Sequence, residues 1–119
     1  RYVLKSIVFN PASVSDDQVL GYAKPLSSHE AHRVLIDTAL AIVPPDLGAM
    51  TARFKEIVVP TLVLWGCYDL VVPLWVGKRL VEELPNARLE VLENCGHMPA
   101  EELPEQSWKR VQDFLDQEY

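Results

Sequence analysis

Basic residues are the minority among the charges of this chain: 11 lysines and arginines face 17 aspartates and glutamates, a formal charge of −6. A surface of that sign repels phosphate backbones and anionic headgroups, and no basic cluster reverses it locally, so neither nucleic acid nor a membrane surface is an expected partner. Long apolar runs are missing too. None approaches the roughly 20 residues that a bilayer span needs, and the first residues lack the basic, apolar and small-residue succession of a secretory signal. The expected location is therefore cytoplasmic. Two cysteines, Cys67 and Cys95, set no disulfide framework. At 119 residues, starting at Arg1 rather than methionine, the sequence reads as one domain at most, excised from something longer.

What is present is organised around residues 60–69. Thr61-Leu62-Val63-Leu64-Trp65 is a short β-branched and aromatic run bounded by Pro60 and Gly66, without polar alternation, as in a strand of a parallel sheet covered on both faces. Asp69 stands just past its end. Residues 88–92 form a second such run, followed by Asn94-Cys95-Gly96-His97. Between them, Leu74, Gly77, Leu80, Val81 and Leu84 recur at helical spacing over residues 73–84. The three segments predict a βαβ unit, whose right-handed crossover opens both strand ends on one sheet edge. Asp69 and His97, 28 residues apart, are then expected to be neighbours. A carboxylate on one imidazole nitrogen fixes the tautomer and stabilises the imidazolium formed when the other nitrogen takes a proton.

The first half reads as helical. Tyr2, Val3, Leu4, Ile7, Val8 and Phe9 suit an amphipathic helix over 1–10 ending before Pro11. Ser15-Asp16-Asp17-Gln18 is a capping-box pattern for a helix that Pro25 stops, and Ser27-Ser28-His29-Glu30 is a second, opening a helix to about residue 43 with Ala31, Val34, Leu35, Thr38, Ala39 and Ile42 on one face. Asp46 is expected to cap a helix over 47–55 with Leu47, Met50 and Phe54 inward. Pro104 suits the first turn of a last helix whose apolar face is Trp108, Val111, Phe114 and Leu115. His29 and His32 are three apart and do not form His-Glu-x-x-His, so they read as exposed first-turn residues.

The succession Val59-Pro60-Thr61-Leu62-Val63-Leu64-Trp65-Gly66, then Asp69, then Cys95-Gly96-His97-Met98-Pro99 with Glu102 and Pro104, resembles the end of the alpha/beta hydrolase fold over about residues 57–115. The resemblance implies an α/β fragment: a lid-like helical segment over 1–56 and a βαβα part of the core over 57–119. It implies that Asp69 is the acid and His97 the base of a nucleophile–histidine–acid triad. Leu70, Val71, Trp75 and Met98 are then expected to line the substrate pocket, and Glu102 to cap or orient the turn into the last helix. No two of the five glycines are four residues apart, so the Gly-x-Ser-x-Gly turn that carries the nucleophile in that family is not within these residues.

The function this implies is hydrolysis of an ester or similar apolar small molecule by the intact protein, with no cofactor, and no activity from this stretch alone. Ester, carbon–carbon, epoxide and carbon–halogen substrates stay open, because they differ at the nucleophile. The alternative is a non-catalytic, self-associating module. A zinc site through Cys67, Asp69, Cys95 and His97 is a third reading, weaker than free, partly buried thiols, so no metal is expected. Two strands leave an open edge, which predicts a homo-oligomer.

Overall fold

The computed structural model describes residues 2–118. Helix α1 spans Tyr2–Ile7, a 3-10 turn Pro11–Ser13, α2 Asp16–Ala23, α3 His29–Ala41, α4 Leu47–Thr51 and a second 3-10 turn Phe54–Glu56. Then come β1 Thr61–Gly66, α5 Leu74–Glu83, β2 Ala87–Leu92, α6 Pro99–Glu102 and α7 Pro104–Glu118. β1 and β2 pair in parallel with Val63 opposite Leu89, which makes the chain an α/β protein built on one βαβ unit. Among the described residues no helix is long and apolar enough to cross a membrane.

Local chemistry explains most boundaries. Ser15 and Gln18 form the reciprocal capping box of α2, each side chain bonding the other's backbone N–H. The second box fails by one position: Ser28 caps α3 by accepting from Ala31 N, while Ser27 Oγ donates back to the Lys24 carbonyl. α1 is shorter than the helix expected over 1–10, of which Arg1 lies outside the described residues. Pro11 forces Asn10 into extended backbone (φ −111°, ψ 98°), and the Ile7 carbonyl and Phe9 N–H bond elsewhere, so the helical ladder stops. Asp46 caps α4 through Ala49 N, yet α4 ends at Thr51, where Arg53 N turns to the Met50 carbonyl in a tighter 3-10 step.

The interior is small. Among the described residues Val63, Leu84, Leu92 and Cys95 are its buried apolar members, from the two strands, the end of α5 and the loop after β2. Gly77 lets α5 approach so closely that a Cβ there would stand 2.8 Å from the Trp65 indole. α7 is turned from its expected orientation, because Trp108 is 57 % exposed and Leu115 is also exposed, whereas Ser107 is buried and donates to the Pro99 carbonyl. The Arg88 guanidinium lies over the Phe114 ring at 5.0 Å and supplies part of that contact. The apolar face of α3 is largely uncovered: no residue of that helix is buried, and Val34 and Leu35 on that face are 59 % and 51 % exposed. Leu47 and Met50, expected inward, are exposed as well.

Size measures agree. The accessible surface is 8738 Å², against about 6,500 Å² for a folded monomer of this mass. The radius of gyration is 16.6 Å, against about 13.5 Å for a compact chain of this length.

Candidate active site

Both loops of interest leave the same sheet edge. After β1, Cys67 N bonds the Leu92 carbonyl and Tyr68 N bonds the Cys95 carbonyl, so the acid-bearing loop is stitched to the loop after β2. Gly66 makes this possible: a Cβ there would lie 1.9 Å from the Gly96 carbonyl oxygen and 2.6 Å from that of Cys95. The Trp65 indole N–H donates to the Val72 carbonyl at 3.0 Å, closing the acid loop back on its strand. Asn94 takes a positive φ of 54° at the turn out of β2, a conformation that asparagine tolerates.

Asp69 is buried, and its two carboxylate oxygens have separate duties. Oδ1 accepts from Val71 N and Val72 N, both at 2.9 Å. Oδ2 lies 2.9 Å from His97 Nδ1. Burial pushes the Asp69 carboxyl upward, but the hydrogen bonds from His97, Val72 and Val71 and the charge of His97 outweigh it, leaving its pKa below the ordinary value. Asp69 is thus ionised at neutral pH and can only accept, so the proton of the pair sits on Nδ1 and the lone pair of the imidazole on Nε2. Because the folded pKa is depressed, the stability this carboxylate contributes is present above its ordinary pKa and is lost as pH falls through the folded value.

His97 is held from the other side by the N-terminal segment. Its N–H donates to the Ile7 carbonyl at 2.8 Å, and Gly96 is so close to residues 7–9 that a Cβ would stand 2.6 Å from the Ile7 oxygen. The Phe9 and Tyr68 rings meet at 4.8 Å. Tyr22 donates to Glu101, a further tie between α2 and α6. None of these links has a periodic signature in the sequence, and only Pro11 hinted that the first helix would end near the site.

A hollow of about 170 Å³ opens beside the pair, lined by Leu64, Trp65, Val72 and Pro99 together with Asp69 and His97. Leu70, Val71, Trp75 and Met98, expected to line the substrate pocket, do not line this hollow. Leu70 is 82 % exposed, and Val71 is exposed while lending its N–H to Asp69. Trp75 faces a groove shared with Leu47, Thr51 and Phe54, and Met98 faces a small hollow with Leu4, Val8 and Tyr22. Cys67, Asp69, Cys95 and His97 do not gather as a ligand set, and no group of three such residues placed to hold a metal ion occurs among the described residues.

Cys95 is fully buried, and burial, with the nearby charges of Glu102 and Asp69, pushes its thiol up to about 11. A thiol reagent at pH 8 is therefore expected to modify Cys67 at least about a hundredfold faster than Cys95 in the folded chain. Equal rates at the two positions would show that the loop after β2 opens readily.

Residues 3–109 match the model of the alpha/beta hydrolase family. The chain belongs to that family. Its 2-hydroxy-6-oxononadienedioate/2-hydroxy-6-oxononatrienedioate hydrolase from Burkholderia vietnamiensis (strain G4 / LMG 22486) is 45 % identical over 115 residues, covering 97 % of this chain and 40 % of the relative. The enzyme of the same name from Cupriavidus pinatubonensis (strain JMP 134 / LMG 1197) is 31 % identical over the same extent. Among solved structures, a serine hydrolase involved in carbazole degradation superposes with a TM-score of 0.77 at 22 % identity, over 97 % of this chain and 45 % of that one, a likeness of fold. The chain thus spans about two-fifths of the length of the curated hydrolases it matches.

Proposed function

We propose that these residues supply the acid and the histidine of a hydrolase whose nucleophile lies on the part of the fold outside this sequence. The observation that carries this reading is the 2.9 Å contact between His97 Nδ1 and Asp69 Oδ2 at the mouth of a hollow. His97 Nε2 removes the proton of the nucleophile and later that of water. Asp69 keeps the ring in the productive tautomer and stabilises the imidazolium. Residues 1–56 act as a lid over residues 57–119, in line with the contacts that join residues 7–9 and 22 to the loop after β2 and to α6. The names of the relatives support a small hydroxy-oxo-dienoate as substrate. Such a molecule carries carboxylates and is more polar than the ester expected from Leu70, Val71, Trp75 and Met98.

The test is an assay of the full-length protein containing this sequence against a 2-hydroxy-6-oxo-dienoate and a nitrophenyl ester, beside the 119-residue chain alone. Turnover is expected from the former and none above background from the latter, because a base without nucleophile and oxyanion donors loses the covalent route. Ester turnover by the short chain that His97→Ala abolishes would overturn the reading. A non-catalytic module has no comparable support, since it gives no reason for the ionised Asp69 to hold His97.

Self-association of the 119-residue chain belongs to the same proposal. Its surface exceeds that of a compact monomer by about 2,200 Å², the size of a protein–protein interface, and β1 offers an unpaired edge. Light scattering at micromolar concentration is expected to give a dimer or larger; a single species of 13.5 kDa would refute it.

A further inference from the structure

Glu102 stands five residues after His97, at the end of α6, and its carboxylate gathers backbone N–H groups from two distant parts of the chain. Oε1 accepts from Gly96 N and Met98 N, each at 3.0 Å. Oε2 accepts from Gly96 N at 3.0 Å and from Phe9 N at 2.7 Å. With His97 N on the Ile7 carbonyl, the three successive N–H groups of residues 96–98 all have fixed partners, two of them on one side chain. α6 is itself anchored, through Leu103 N on the Pro99 carbonyl and Ser107 Oγ on the same oxygen.

We propose that Glu102 is a positioning residue that sets the orientation of His97 toward Asp69 and makes it depend on the docking of residues 7–9. The inference rests on the reading of Asp69 and His97 as a working pair. Its physical basis is geometric. The Nδ1–Oδ2 contact is 2.9 Å, and a shift of the loop by about 1 Å takes it outside hydrogen-bonding range. An ionised acceptor makes stronger bonds to N–H groups than a neutral one, and one rigid carboxylate fixes the peptides on both sides of the histidine at once. Because the same group also binds Phe9, displacement of residues 7–9 removes one ligand of the carboxylate and one acceptor of His97 together.

Glutamine at 102 keeps a single acceptor oxygen. Its NH2 group must face either Phe9 N or the Gly96–Met98 side, so one set of bonds is lost while shape is kept. Alanine loses both sets. The experiment is NMR on the 15N-labelled 119-residue chain as wild type, Glu102→Gln and Glu102→Ala, following the His97 ring nitrogens, the exchange of its Nδ1 proton and the amides of Phe9, Gly96 and Met98.

The wild type is expected to show one tautomer with a protected Nδ1 proton. Both variants are expected to keep the β1 and β2 amides in place, to exchange the Nδ1 proton at least about tenfold faster, and to populate the second tautomer. An unchanged tautomer and exchange rate in a folded variant overturns the proposal. If alanine prevents folding, the glutamine variant decides. If neither variant folds, Glu102 supports the fold at large and the positioning role is refuted. A wild type lacking the protected Nδ1 proton refutes the Asp69–His97 pair itself, a different result from a pair that survives the loss of Glu102.

Discussion

His97→Ala in the full-length hydrolase is expected to lower turnover by about 10⁶-fold with the fold intact, and Asp69→Asn by about 10⁴-fold, the scale on which such groups act in a triad. The difference follows from the hydrogen bonds. In the proposed mechanism histidine moves the proton, so nothing replaces it. Aspartate acts on the histidine, and asparagine reverses that action. Oδ1 of Asp69 holds two backbone N–H groups, and an amide oxygen at the same place keeps them. The NH2 group of the asparagine must then point at His97 Nδ1, which can meet it only as an acceptor. The proton moves to Nε2, where the lone pair is needed. Steady-state kinetics of both variants, with melting curves to show that they fold, measure this. Wild-type kcat/KM in either would remove Asp69 and His97 from the mechanism.

Gly66→Ala is expected to be the most damaging single methyl in the chain. Its Cβ would lie 1.9 Å from the Gly96 oxygen, 2.6 Å from the Cys95 oxygen and 2.9 Å from the Cys95 carbonyl carbon, all backbone atoms that no rotamer change can move. Overpacking of side chains costs about 1–3 kcal/mol, and a backbone clash at the end of a strand pair lies at or above the top of that range. For a chain of this length about 3 kcal/mol corresponds to a fall in melting temperature of roughly 12 °C. The relief available is to part the two loops, which breaks the Cys67 and Tyr68 bonds to the β2 side and carries His97 away from Asp69. Thermal unfolding followed by circular dichroism measures the loss. A melting temperature within a degree or two of wild type would mean that the loops are not held together as described.

Local chemistry made much of this legible in advance. The apolar runs ending at Gly66 and Leu92, the helical spacing between them and the one-handedness of parallel crossovers were sufficient to bring Asp69 beside His97, because each is a short-range or topological rule. Ser15, Asp46 and Pro104 marked helix starts for the same reason: a cap or an N1 proline acts within one turn. Distant partners competing for the same groups lay beyond such rules. The first helix was expected to run to Asn10 and ends at Ile7, because the Ile7 carbonyl and the Phe9 N–H belong to His97 and Glu102, some 90 residues on. The apolar stripe of α3 described a face and not its burial, since periodicity states which residues point together and not whether anything covers them. Trp75 and Met98 likewise stand next to the site in sequence and face other hollows, because the direction of a side chain is decided by the elements packed against it. Sequence alone determined that a βαβ unit would bring Asp69 and His97 together. Only the tertiary structure decided how they are held, through hydrogen bonds and close glycine contacts between segments that no local pattern connects.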